Sequence, residues 1–299
     1  MRKPEPTPAL DIACCTETGP TRERNEDACA LPPTWAEPTA LGTLLVVADG
    51  VGGVSGGAEA SHDAVGYLQA IYYAPSGPEA PADRLNQAVR AVNTLNRLSA
   101  EKEREGLTTL VAAVIRGAEL WVANVGDSRA YLFQNESQPR KQLTKDHTGS
   151  QSHAITHAIG LEDECQVDLY RYEWHPGDAL VLCSDGLAAL SAQEMAEITF
   201  SLPAEGAAGA LVQRAHLLDG SDNATAVVAR WGGRPSAQRR AAPTRAERPQ
   251  KRDTIPVRSD PDPPRDRLGR GLLLGLLLGW LTAALLLYAA IAGGTLPGF

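Results

Sequence analysis

Leu44-Leu45-Val46-Val47-Ala48-Asp49-Gly50 is a run of five apolar residues that stops at an acid and a glycine. So short an apolar run, bounded by a turn dipeptide, reads as a strand buried on both faces. The same pattern recurs along the chain. Leu180-Val181-Leu182-Cys183-Ser184 stops at Asp185-Gly186, and the run 120–125 stops at Gly126-Asp127-Ser128. Asp222 precedes the last apolar run, 224–231, and Asn25-Glu26-Asp27 follows the turn at Gly19-Pro20. One Asp-Gly is an ordinary turn. Several carboxylates carried to the ends of core strands are another matter, because desolvated like charges repel. Their natural partner is a hard divalent cation: Mg2+ and Mn2+ take oxygen ligands. The glycine after Asp49 lets the backbone come close enough for its carbonyl to join them.

Outward from these acids, strand-like runs fall at 43–48, 110–115, 120–124, 129–133, 167–172, 179–183 and 224–231. Helical spacing runs through 57–73, where Ala60, Ala64, Val65, Leu68 and Ile71 share a face. It runs again through 82–105, with Leu85, Ala88, Val89, Val92 and Leu95 aligned. Two more helices are expected at 191–200, capped by Ser191, and at 204–218. Two adjacent long helices followed by many strands do not make a regular βαβ alternation. The expectation is an α+β arrangement of packed sheets faced by helices.

The ordered pieces resemble the PPM, or PP2C-like, family of metal-dependent Ser/Thr protein phosphatases in its bacterial form. They are Gly19-x-x-Arg22-x-x-Asn25-Glu26-Asp27; Val46-Val47-Ala48-Asp49-Gly50-Val51-Gly52-Gly53; Gly106-Leu107-Thr108-Thr109-Leu110; Val125-Gly126-Asp127-Ser128-Arg129-Ala130; Leu182-Cys183-Ser184-Asp185-Gly186-Leu187; and Asp222-Asn223-Ala224-Thr225. The resemblance spans roughly residues 10–231. It implies an α-β-β-α sandwich, two antiparallel sheets flanked by helices, with a two-metal centre at one end. By the same resemblance Asp49 bridges two cations, Mn2+ or Mg2+, and Gly50 offers its carbonyl to one. Asp185 and Asp222 hold the other, Glu26 and Asp27 bind the metals or their waters, and Asp127 joins Asp185 at a weaker third. Arg22 clamps the substrate phosphate. Catalysis then rests on Arg22 and Asp49, with a metal-activated water attacking phosphoSer or phosphoThr. Asn223 and Thr225 shape the loop around Asp222. The stretch 148–154 is shorter than the helical flap of bacterial relatives, and Val51 stands where some eukaryotic relatives have histidine.

The other residues fit that picture. Among the 299 residues, 28 Lys and Arg face 36 Asp and Glu. Residues 234–270 hold 11 basic and 5 acidic residues, leaving 17 basic against 31 acidic in 1–233. An acidic globular part argues against nucleic-acid binding. The five cysteines, 14, 15, 29, 165 and 183, lack the paired spacing of a disulfide framework or zinc site, and Cys183 is expected to pack in the core. His62 is expected at the surface, and His147 in a structural loop.

The expected organisation is a tail at 1–9, a phosphatase domain with a shortened flap at 10–233, and a Pro/Arg-rich disordered linker at 234–270. A transmembrane helix at 271–292 and a short non-cytoplasmic tail at 293–299 complete it. The segment 271–292 carries no charge and, as a helix, spans roughly 30 Å, a bilayer core. Arg265, Arg267 and Arg270 precede it, so the catalytic domain is expected in the cytoplasm, anchored by its tail. The expected partners are phosphorylated proteins, a cognate Ser/Thr kinase and the membrane. The alternative readings are a catalytically silent phosphoprotein-binding module and a specialised switch phosphatase of a signalling pathway.

Overall fold

The computed structural model describes residues 10–34, 41–51, 56–100, 106–134, 140–149 and 154–232. Among these, the strands are β1 (Leu10–Glu17), β2 (Asp27–Ala30), β3 (Thr43–Asp49), β4 (Leu110–Arg116) and β5 (Glu119–Val125). They continue with β6 (Arg129–Gln134), β7 (Arg140–Gln142), β8 (Asp168–Glu173), β9 (Asp178–Cys183) and β10 (Ala224–Trp231). The helices are α1 (Gly57–Tyr72), α2 (Pro81–Ala100), α3 (Ala192–Ser201) and α4 (Ala204–Leu218). Two sheets form, in the orders β1-β10-β9-β6-β7 and β2-β3-β4-β5-β8. Every pairing within them is antiparallel.

Alternation along β3 shows why the apolar runs are continuous. Leu45 and Val47 pack inward with Val111, Ala113 and Val122 against Leu180, Leu182 and Val227 of the opposite sheet. Leu44, Val46 and Ala48 pack outward against Ala64, Leu68, Leu85 and Val89 of α1 and α2. The other sheet does the same: Val181, Cys183, Ala226 and Val228 face Met195, Leu211 and Val212 of α3 and α4. Neither face of a central strand meets water, so no polar alternation is left to read. Full burial of side chains such as Leu44 and Leu45 contributes about 1.5–3 kcal/mol each. The layers are therefore α-β-β-α, as the family resemblance implies.

The long apolar strands and all four helices fall within a residue or two of their expected bounds, except that α2 is described only to Ala100. Ser191 caps α3 in a reciprocal capping box with Glu194. Three strands carried no usable sequence signal. β1 mixes Asp11, Cys14 and Thr16 into an edge strand, and β2 and β7 have only four and three residues. At the described ends of the stretch 148–154, Thr148 pairs with Ile155 and the Gly149 N–H donates to the Ala154 carbonyl at 3.0 Å, while 150–153 lie outside the described residues. Among the described residues no helix is long and apolar enough to cross a membrane. The segments 234–270, 271–292 and 293–299 lie outside the described residues.

Candidate active site

The β2–β3 register sets Asp27 directly opposite Asp49. At the same end, β9 leads through Ser184 into a 3-10 turn, Asp185–Leu187, and Asp222 leads into β10. Hydroxyl groups join the two sheets here. Ser184 Oγ, just past the end of β9, and Thr225 Oγ1 of the neighbouring β10 each donate to Asp27 Oδ2 of the other sheet at 2.7 Å. The relay continues outward: Asn25 Nδ2 donates to Thr16 Oγ1 at 2.8 Å, which lies 2.7 Å from Thr225 Oγ1. Asp49 is fixed through its backbone. Its N–H donates to Thr109 Oγ1 at 3.0 Å, and its carbonyl accepts from the Thr109 N–H at 2.8 Å and Thr108 Oγ1 at 2.9 Å.

Two glycines are required by close approach. A Cβ on Gly50 would sit 2.4 Å from the Gly57 carbonyl oxygen and 2.7 Å from that of Glu26. One on Gly186 would sit 1.9 Å from the Asn223 carbonyl oxygen. The Gly50 N–H donates to the Glu26 carbonyl at 3.0 Å. Asn223 Oδ1 accepts from the Glu26 N–H at 3.0 Å, while its Nδ2 donates to the Arg24 carbonyl at 3.1 Å. Asn223 thus ties the 24–26 loop to Asp222, whereas Thr225 reaches Asp27 itself.

The electrostatics of these acids is coupled. Burial, and then the charges of Asp27, Asp185 and Asp222, push the Asp49 carboxyl well above the usual carboxylate range. Asp27, only 2% exposed, is pushed up to about 6 by burial, with the Asp185 charge adding to it and the Thr225 and Ser184 hydroxyls opposing it. Asp185 is raised by burial and by the charge of Asp222. Asp127 is raised to about 6 by burial and the Asp185 charge, and its Oδ1 has no hydrogen-bond partner among the described residues. His147 holds the turn before it: its Nδ1 accepts from the Gly126 N–H at 3.2 Å, and its Nε2 lies 3.2 Å from Asp168.

Arg22 and Glu26 sit at the rim, where Arg22, Glu23, Arg24 and Glu26 line an open cavity of about 220 Å3. Arg22 Nη2 donates to Asp222 Oδ2 at 2.7 Å, and its Nε donates to the Ser221 carbonyl at 3.0 Å. Glu26 pairs with Arg24 at 2.8 Å. Among the described residues no three His, Cys, Asp or Glu side chains form a ready-made metal cage. Several of the carboxylates turn instead to protein donors. Their convergence is nevertheless plain in the mutual charge effects, and the donor set fits hard cations: all-oxygen, buried or half-buried, self-repelling, with an orphaned Asp127 oxygen beside it. The structure brings Asp27, Asp49, Asp127, Asp185 and Asp222 into one coupled cluster. Ser184, Thr108, Thr109 and Ser128 support it with hydroxyl groups, Thr109 Oγ1 lying 2.7 Å from Ser128 Oγ; adjacency to an acid marks Ser184 and Ser128 in the sequence, and nothing local marks the role of Thr108 and Thr109. Cys183 is buried in the core and His62 is exposed.

The sequence profile of the Protein phosphatase 2C family matches residues 20–216, about two thirds of the chain. The chain belongs to that family and is a metal-dependent protein phosphatase. It is 33% identical over 239 residues to the serine/threonine phosphatase Stp of Listeria innocua, covering 71% of this chain and 92% of that one. The catalytic domain of the serine/threonine protein phosphatase PstP, solved in complex with two manganese ions, superposes with a TM-score of 0.63 at 30% identity. The match covers 74% of this chain and 97% of that one. PppA, described as a key regulatory component of the type VI secretion system in Pseudomonas aeruginosa, superposes with a TM-score of 0.64 at 28% identity, covering 75% and 98%.

Proposed function

We propose that this phosphatase hydrolyses phosphoserine and phosphothreonine in proteins with two divalent cations, Mn2+ or Mg2+, held by the acids at one end of the sandwich. The observation that carries the reading is the pairing of buried Asp27 with half-buried Asp49 across β2 and β3, both raised by the charge of Asp185. In this reading Asp49, the Gly50 carbonyl, Asp185 and Asp222 would hold the two cations, with Asp49 shared between them. Glu26 and Asp27 hold the metals or their waters, and Asp127 with Asp185 provides a weaker third position. When bound, the cations supply Lewis acidity and a nucleophilic water at neutral pH. The protein's own part is to aim the carboxylates. Ser184 and Thr225 fix Asp27, and the backbone clasp of Thr108 and Thr109 fixes Asp49. Arg22 is half-exposed beside the rim cavity, and an arriving phosphate competes with Asp222 for its guanidinium, which is a good fork for phosphate oxygens.

The wider organisation belongs to the same proposal. The domain at 10–233 is joined by the linker 234–270 to a membrane span at 271–292, with 293–299 beyond it. The enzyme then works at the cytoplasmic face against substrates of a Ser/Thr kinase, and the tether raises its concentration there. Phosphate release from a phosphothreonine peptide with Mn2+, by the wild type and by Asp49→Ala, tests the catalytic reading. Release is expected from the wild type alone, and equal release from both would overturn it.

A further inference from the structure

β1 and β2 are the edge strands of the two sheets, and they are in contact at one side of the sandwich. Leu10 and Ile12 of β1 pack into the layer between the sheets, whereas Ala13 and Cys15 pack outward beneath the helices. Alternation therefore turns Cys14 inward, where its strand partner Val227 also lies. Cys29 of β2 faces the same layer from the other sheet. Cys14 and Cys29 therefore face one layer from adjoining edge strands, close enough to influence each other. Cys14 is exposed and Cys29 half-buried. This pair lies beside the acid cluster. Two residues beyond Cys14 is Thr16, the hydroxyl of the relay to Thr225, and two residues before Cys29 is Asp27.

We propose that Cys14 and Cys29 form an oxidation site, where a peroxide converts the two thiols into a disulfide that ties one sheet edge to the other and loosens the hold on Asp27. The electrons balance without a further reagent. Cys14 thiolate attacks a peroxide oxygen, breaking the O–O bond, and becomes a sulfenic acid as hydroxide leaves and takes up a proton. Cys29 sulfur then attacks the Cys14 sulfur, and its proton leaves with the departing hydroxyl as a second water. Two sulfurs lose one electron each, and the peroxide gains both. Exposure gives the oxidant access to Cys14, and the neighbouring thiol holds Cys14 down to about 7, so a thiolate is present near neutrality. Cys15, next in sequence, faces the helix side and has its thiol raised by burial, which makes it the built-in control.

The test uses the full chain, reduced and loaded with Mn2+, then treated with hydrogen peroxide. Free thiols are blocked and the digested protein is mapped by mass spectrometry. A crosslink between Cys14 and Cys29 is expected, in Cys15→Ser as in the wild type. Phosphatase activity should fall roughly tenfold, the scale of losing a residue behind a metal ligand, and return with a thiol reductant. Cys14→Ser should keep its activity through the same treatment. Unlinked Cys14 and Cys29, an equal reversible loss in Cys14→Ser, or a crosslink with unchanged activity would each overturn the proposal. The crosslink is read on peptides, so its failure is distinguishable from failure of the phosphatase reading.

Discussion

Raising the pH of the metal-stripped protein should destabilise it, and Asp27 should account for a definable share. In the folded chain Asp27 holds its proton up to about pH 6, against 3.8 for an ordinary aspartate. Between those values the folded state binds more protons than the unfolded one, so the free energy of unfolding falls as pH rises. At about 1.4 kcal/mol per unit, the full displacement costs the folded chain about 3 kcal/mol above pH 6 and nothing below about pH 4. With a single domain of this size, that is a fall of about 6–12 °C in Tm. Asp49, Asp127 and Asp185 are displaced in the same direction, so the wild-type decline is steeper still. Asp27→Asn isolates the step, because the amide oxygen still accepts from Ser184 and Thr225 while the charge is gone. Scanning calorimetry of both chains in chelator, from pH 4.5 to 7.5, should find the variant's profile flatter by roughly the amount above. Mn2+ should restore the wild type most strongly at the alkaline end, where the carboxylates are free to bind it. Parallel profiles for the two chains, or a wild-type Tm that climbs with pH, would refute the reasoning.

Two further outcomes test the rim and the tail. Arg22→Ala removes the 2.7 Å pair with Asp222, and should raise KM for a phosphopeptide about tenfold or more while Mn2+ affinity measured by calorimetry stays within a few-fold; a lost metal affinity with unchanged KM would make Arg22 a support for Asp222 instead. Removing residues 271–299 should move the protein from the membrane to the soluble fraction and leave hydrolysis of a soluble phosphopeptide intact, which fractionation and a phosphate assay would read together.

Much of the fold was open to reading because its central strands are covered on both faces. Uninterrupted runs such as 44–48 and 180–183 admit few interpretations once a turn dipeptide bounds them, and the amphipathic spacing of 57–73 is equally direct. The acids stood out for the converse reason: a charge at the end of such a run needs a purpose. β1 and β2 escaped because an edge strand is judged by one neighbour only. Asp11, Cys14 and Thr16 are tolerable there, and Asp27–Ala30 is too short for any period to emerge. The Arg22–Asp222 pair was equally hidden, since 200 residues separate its members.

The hydroxyl residues escaped for a different reason, and it bears on how the site works. Ser184 and Thr225 carry no signal of their own, and each adjoins or nearly adjoins an acid that draws attention away from it. Their role depends on geometry between sheets: both sit at the end of one sheet, and the carboxylate they serve belongs to the other. In the proposed site, Asp27 and Asp49 from one layer and Asp185 and Asp222 from the other would therefore share a cation only once the sandwich has closed. Closure gathers like charges that repel, as the raised carboxyls of Asp27, Asp49 and Asp185 record. The apolar layer between the sheets, from Leu45 and Val47 to Leu180 and Val227, supplies the stabilisation that offsets this repulsion. Cation binding relieves it, so metal affinity and sheet–sheet association are two readings of one equilibrium. A core substitution far from the acids, such as Leu180→Ala, that loosens the sandwich should for that reason weaken Mn2+ binding without touching a single ligand.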